Sequence, residues 1–530
     1  GAFSISSTSR LLFQTDALLT YKKTFGDLDM TIAGGGANRY ESYSTNGGST
    51  TGGLQVPKVY NLAMSRDPAT TYNDRWEKEV NSVLGYADLG YKNFLNLNIS
   101  VRNDWSSSLR KPYNSYFYPS ASLSFILSDV VRLPDAINFV KLRGAYADVK
   151  SDVSPYYTVP TYSSGTRWNG VPSLSSPGSI LDSAIRPSRT ISREVGLETK
   201  FLNNRLGLDL TYYSYLDKDS PRDISLSQAS GYSSYRVNGD VYNRRGWEIV
   251  LNASPIQNKN FGWDILVNYS RIRNYVKELY GGVESRGLIK VGDRINVDPA
   301  RWGGELAYTG WVWEKSPDGQ IVYENGLPKY LNQLINLGVH EHDFDYGINN
   351  AFRLKQFSFS FLLDGRVGGN MFNGVEAKMY EGGSHPATAN SYREDSYAGQ
   401  KTYVGKGVVV TGGDVVYDAF GNIISDNRTF APNDVKVDYI DWVFATYTNG
   451  VTESLLYKQT YLKLREVIIG YNFKPASLNK TPFKSVSISL VGRNLLMFTK
   501  VPYMDPEAYS GTTMAEPSYR NVGININLKF

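Results

Sequence analysis

The chain has 530 residues, with 56 Lys and Arg against 51 Asp and Glu, a net charge of +5. That balance, with no basic block, excludes a nucleic-acid surface, and the lack of cysteine excludes disulfide staples and thiolate metal sites. Mean hydropathy is -0.35 and no run of 18 apolar residues occurs, which excludes a helical membrane protein but not one that crosses with strands. Aromatic residues make up 13%, with 40 Tyr, a composition suited to lining two membrane–water interfaces. Residues 1–10 carry no initiator Met, basic n-region or apolar h-region. The expectation is therefore the C-terminal part of a longer exported polypeptide, with precursor cleavage as the rival.

In chain order, Leu11, Phe13, Ala17, Leu19 and Tyr21 alternate with polar residues, which predicts a first strand. A turn at Phe25-Gly26-Asp27 leads to a strand near 28–42. The Ser, Thr, Gly and Asn-rich stretch 43–75 reads as a long loop. A weakly patterned strand near 76–90 follows. Leu95, Leu97, Ile99 and Val101, then Ala121, Leu123, Phe125 and Leu127, mark two clear strands. A strand over 140–149 precedes a long loop, 150–188. Val195 and Leu197, then Leu206, Leu208 and Leu210, flank a turn at 202–205. Trp247, Ile249 and Leu251, then Trp263, Ile265 and Val267, flank another at 257–260. Trp247 and Trp263 are expected in the interfacial girdle on the short-turn side. Long excursions over 277–343 and 368–456 bracket Phe344–Phe352 and Phe357–Leu363. The last three strands are expected near 457–473, 484–497 and 520–530.

The final stretch shows the logic. Val522, Ile524, Ile526, Leu528 and Phe530 alternate with Gly523, Asn525, Asn527 and Lys529. Successive strand side chains point to opposite faces, so one face is apolar and the other polar. Roughly fifteen such strands of about ten residues, with turns alternately short and long, predict an all-β, antiparallel transmembrane β-barrel with short periplasmic turns and long extracellular loops. A soluble sandwich or propeller is the competing fold; it rarely alternates three-residue turns with very long excursions.

By phase, Lys141, Arg143, Glu194, Glu198, Lys200, Asp209, Arg353 and Arg493 point to the polar interior. Of these, Arg143, Glu194, Glu198, Asp209, Arg353 and Arg493 are the candidates for lining a solute path, against the simpler reading that they only solvate a wet lumen. Tyr157, Trp168, Trp302, Trp311, Trp313 and Trp442 in the long loops are candidates for stacking on substrate or anchoring a partner, against packing within the loops. His340 and His342 share a face if extended, a candidate metal pair, against the simpler reading of a polar loop entering a strand. No catalytic elbow and no phosphate-binding loop is present, so no catalytic residue, cofactor or metal site is assigned.

Several segments carry a family resemblance: YLKLREVIIGYNF (Tyr461–Phe473), SVSISLVGRNLLMFTKVPYMDPE (Ser485–Glu507), PSYRNVGININLKF (Pro517–Phe530), VGLETKFLNNRLGLDLTYY (Val195–Tyr213), FSFSFLLDGRVGGNMFN (Phe357–Asn373) and YDAFGNIISDNRTFAPNDV (Tyr417–Val435). Across nearly all 530 residues the chain resembles the C-terminal barrel of SusC/RagA-type TonB-dependent transporters of Bacteroidetes. The resemblance implies a 22-stranded barrel of which about seven strands, the plug and the TonB box are not in this chain, so that 1–530 is the C-terminal barrel portion. It implies an outer-membrane importer of oligosaccharides or peptides rather than an enzyme. It further implies a SusD-like lipoprotein lid, energisation by the TonB complex through the plug, completion by the N-terminal part of the same barrel, and Phe530 as a C-terminal assembly signal. A surface receptor or adhesin, a passive porin and a secreted glycan-active enzyme are the alternatives.

Overall fold

A computed structural model describes residues 1–530 except 166–167, 283–285, 288–294, 298–303, 334, 419–420, 449–450, 474, 479–480 and 509–517. Fifteen strands form one sheet: β1 (Ser4–Phe25), β2 (Leu28–Leu54), β3 (Ser65–Tyr91), β4 (Leu95–Ser106), β5 (Ser115–Ile126), β6 (Ile137–Ser151), β7 (Ser188–Phe201), β8 (Leu206–Lys218), β9 (Val241–Gln257), β10 (Phe261–Glu278), β11 (His342–Leu354), β12 (Phe357–Gly368), β13 (Tyr461–Asn472), β14 (Ser485–Thr499) and β15 (Asn521–Lys529). Their order in the sheet is their order in the chain, an antiparallel meander. The chain divides into two compact units, Gly1–Pro134, Phe139–Leu197 and Tyr213–Arg244 in one, Asp135–Asn138, Glu198–Tyr212 and Arg245–Phe530 in the other.

Register fixes two faces. Leu97 pairs Leu123 and Leu95 pairs Phe125, while Asn96 pairs Ser124 and Ser100 pairs Ser120. Leu490 pairs Ile524 and Ile488 pairs Ile526, while Ser489 pairs Asn525 and Ser487 pairs Asn527. A one-residue slip would exchange the faces, so the alternation itself pins the register. The apolar face is uncovered: Leu19 is 83% exposed and Ile524 71%. No helix among the described residues is long and apolar enough to cross a membrane. Crossing is left to the strands, which satisfy their backbone groups between neighbours.

Short turns use backbone conformations that suit them. Gly26 takes φ +59 between β1 and β2, and Lys92 and Asn93 take φ 48 and 63 between β3 and β4. Between β11 and β12 only Lys355 and Gln356 intervene. Aromatic rings gather on this short-turn end: Tyr91 with Phe94 and Phe94 with Phe125, Trp263 stacked on Phe352 at 5.8 Å, Phe357 with Tyr471, and Phe483 with Phe530. Such a belt marks a membrane–water interface.

Two expectations need correction. The stretch 43–75 is mostly strand: β2 continues to Leu54 and β3 starts at Ser65, paired down to Leu54–Ser65. Beyond the bilayer a strand needs no apolar face, and Thr and Ser ladders such as Thr8–Thr45 carry it in water. Trp247 lies ten residues before the end of β9, about 33 Å along a strand at ~3.3 Å per residue. It packs on Tyr212 at 4.7 Å, at the far end of the span from Trp263.

The 369–460 excursion builds its own small fold. Helices α1 (Gly374–Glu381), α2 (Ser391–Tyr397) and α3 (Tyr439–Val443) start on Asn373, Asn390 and Asp438, whose side chains accept hydrogen bonds from first-turn N–H groups. Tyr380, Tyr439, Val443 and Leu455 form a buried cluster among them.

Candidate functional site

The six polar-face candidates lie on five different strands and do not form one constellation. Arg143 sits opposite Ser124 and lies against Gly196, where an added Cβ would strike its guanidinium. Glu194 accepts from Tyr215 Oη at 2.7 Å and from Ser192 Oγ. Glu198 has Lys200 Nζ at 3.6 Å on its own strand. Asp209 is half-buried on β8. Arg353 is in register with Gly262 and Ser358. Arg493 Nε donates to Glu466 at 2.8 Å.

What converges is a set the alternation does not single out. On β13 the ladder to β12 shifts between Leu362 and Leu363, and the ladder to β14 shifts between Leu464 and Glu466, so Arg465 is left over. A bulge of this kind re-aims a side chain. Arg465 thereby reaches Asp364 on β12 and Glu507 beyond β14, the latter at 2.8 Å. Beside it, Lys463 is 2% exposed at its side chain and donates to Asp505 at 2.7 Å and Glu507 at 2.6 Å. Burial by itself raises the Asp505 and Glu507 carboxyls, but hydrogen bonds from Lys463, joined by Ser518 at Asp505 and Arg465 at Glu507, outweigh it and hold both below the usual carboxylate range. Nearby on the same face, Asp345 takes Arg366 Nε at 2.8 Å and His342 Nε2 at 2.6 Å.

Of these groups Asp345, Asp364, Arg465 and Glu507 line a cavity of about 590 Å³ on the polar face, where Glu248, Asn268 and Ser270 complete its polar wall. Four carboxylates and one guanidinium among them suit a charged or hydrogen-bonding solute. His340 Nδ1 lies 3.2 Å from the Asn370 carbonyl, and His342 is committed to Asp345. Among the described residues no group of three or more His, Asp or Glu side chains is arranged to hold a metal ion.

The loop aromatics divide. Tyr157 packs on the Leu109, Tyr116, Val153 and Ile185 cluster, under the Arg236 guanidinium at 4.1 Å. Trp313 is buried, its backbone N–H donating to Glu453 at 3.0 Å. Trp311 packs on Tyr330 at 5.2 Å. Trp442 donates to Tyr323 Oη at 3.3 Å and packs on Tyr403. Tyr380 is stacked between Tyr447 at 3.7 Å and His385 at 3.9 Å. Burial pushes the Tyr403 phenol up to about 12 and the Tyr380 phenol higher still. Trp168, 82% exposed, presents its ring to solvent. Trp302 lies outside the described residues. Trp313 and Trp442 are thus packed within the loops, where burying a ring removes apolar surface from water.

Comparison with known proteins bears on this arrangement. The family model described as TonB dependent receptor-like, beta-barrel matches residues 3–323. TonB-dependent receptor P3 of Formosa agariphila is 23% identical over 99% of this chain and 51% of its own length. TonB-dependent receptor P39 of the same organism is 21% identical over 96% of this chain and 51% of its own. Among solved structures, the RagAB peptide importer in the "closed-closed" state superposes with a TM-score of 0.77 at 16% identity, covering 99% of this chain and 56% of that one. The chain spans about half the length of the curated relatives it matches.

Proposed function

The chain belongs to the TonB-dependent receptor-like β-barrel family of the outer membrane, and from that premise we propose that it is the wall of an active importer for a large nutrient, a peptide or an oligosaccharide. The observation that carries this reading is the cavity on the polar face. A wall that only had to be wet would not need a bulge to turn Arg465 inward, nor a connection that folds back to place Glu507 beside it. Transport is the reading rather than catalysis, which the engagement of Asp345, Asp364, Arg465 and Glu507 in ion pairs supports. The RagAB structure is titled a peptide importer. By that likeness a peptide is the first solute to test here, and a SusD-like lipoprotein the first partner. The two outer strands β1 and β15 each pair on one side in the sheet order. Unpaired backbone in lipid is costly, so the rest of the barrel is proposed to pair with both, with a plug inside it engaging the TonB complex.

The test is uptake of labelled peptides and oligosaccharides by cells carrying the full-length protein, with and without the TonB complex. Uptake that stops when TonB is deleted supports the reading. Uptake that persists makes the protein a passive porin, and high-affinity binding of either class without uptake makes it a surface receptor.

A further inference from the structure

The connection after β14 folds back on itself and is held at two ends. Val501 and Pro506 are buried. At its outer end, the Pro502 carbonyl accepts from Asn373 Nδ2 at 2.9 Å, and Asn373 is the residue that starts α1. Tyr503, at φ 62, sets its ring edge-on to His385 at 5.3 Å. At its inner end, Asp505 and Glu507 meet Lys463 and Arg465 on the strand wall. One seven-residue segment, 501–507, thus bridges the excursion's first helix and the polar face, and Glu507 forms part of the cavity wall.

The inner anchor is almost entirely charge. Both carboxylate partners of the buried Lys463 ammonium come from the segment itself. Lifting the segment would therefore return all three charges to water. The cost of taking such charges out of water offsets much of what their attraction returns, so the seat holds only while all of them are paired. An element of that kind has two discrete positions and is easily biased. Because Glu507 is both latch and lining, a solute that fills the cavity acts on the latch directly.

We propose that residues 501–507 form a charge-latched strap that gates the polar-face cavity, seated by Lys463 and Arg465 and lifted for solute to pass. The proposal rests on the import reading for its consequence, but not for its latch. Since this chain holds no cysteine, a single Val501→Cys reports the seat. It is placed in the full-length protein in its outer membrane, with any cysteine elsewhere in that protein replaced by serine. Its labelling by a membrane-impermeant maleimide is expected to be slow, and about ten-fold or more faster when Lys463→Met is added, because opening then sets the rate. Lys463→Arg is expected to restore slow labelling. An unchanged rate in Lys463→Met overturns the latch. Should that variant fail to reach the membrane, Glu507→Gln carries the same comparison with the same two outcomes.

The gate has its own arm. Asp364→Cys and Glu507→Cys, which flank Arg465, are bridged by a short bifunctional maleimide. Peptide uptake is expected to fall at least about ten-fold on bridging, relative to the same variant unbridged. Equal uptake overturns the gate. A parent protein, with Asp364 and Glu507 intact, that takes up no solute at all counts against the import reading, while the labelling comparison still decides the latch.

Discussion

β14 and β15 on the wall and the 369–460 excursion use the same residue types to opposite ends. On the wall, Leu490, Ile488, Ile524 and Ile526 stand in register on one face and are exposed. In the excursion, Leu455 is 1% exposed and Val443, Tyr380 and Tyr439 close around it. The excursion is an ordinary water-soluble core on a small scale, stabilised by removing apolar surface from water. The wall withholds its apolar side chains from one another and offers them to hydrocarbon, keeping its cohesion in the strand ladders. The same leucine thus has different neighbours, and different substitutions should be harmful in each place.

The largest expected effect is in the excursion. Leu455→Ala should cost about 2–5 kcal/mol of local stability, the range for a truncated buried leucine, read as faster hydrogen exchange across α1 and α3. Equal protection in variant and parent would break the contrast. On the wall, truncation should matter less than charge. Leu490→Arg should cost about 2–4 kcal/mol near the middle of the bilayer, while Ser489→Arg, one residue away on the polar face, should cost little; urea titration of the protein in lipid vesicles compares them. A smaller effect is expected for Tyr447→Leu, which removes the 3.7 Å stack on Tyr380 and should cost about 0.5–1.5 kcal/mol beyond the lost area, measured by the same exchange.

The strap adds a pH dependence with a definite sign. Asp505 and Glu507 have ordinary values of 3.8 and 4.5 and are lowered in the fold. A lowered carboxyl contributes stability that is complete above its unfolded value and is lost as the pH falls through its folded one. The cations facing them are Lys463 and Arg465, with Asp364 the other carboxylate on Arg465. Taken as a ratio to the Lys463→Met derivative at the same pH, which cancels the loss of reactive thiolate on acidification, Val501→Cys labelling should stay slow from neutral pH down to about 4.5 and approach the derivative's rate only below it. Quickening between pH 6 and 7 would contradict a latch made by these two carboxylates.

How much of this was legible in the sequence follows the same divide. The wall announces itself wherever one face must be apolar: Leu95–Val101, Ala121–Phe125 and Val522–Leu528 read directly as strands with the faces they have. The polar ends of β2 and β3 did not, because a strand standing clear of the bilayer loses the alternation that identifies it. Trp247 was set at the wrong end of its strand because the ring type marks an interface without saying which. Arg465 and Glu507 were hidden in the cavity wall for two reasons. The bulge at Arg465 breaks the period on which phase was counted. Its partner Glu507 is 42 residues away, across a turn and a strand. Both segments, YLKLRE and YMDPE, stood out as family-like, but nothing in either says that they meet. Trp313, buried, and Trp442, half-buried, were open to two readings for a similar reason: a sequence shows that a ring is in a loop, not what the loop folds around.

The claim beneath all of this is that one face of the wall meets hydrocarbon and the other water. Single cysteines at each position from Val522 to Lys529, in the full-length protein in its membrane, test it with one lipid-soluble and one water-soluble label. The account predicts lipid-phase labelling at Val522, Ile524, Ile526 and Leu528 and water-phase labelling at Gly523, Asn525, Asn527 and Lys529. Water-phase labelling at all eight positions, or the opposite alternation, would contradict it.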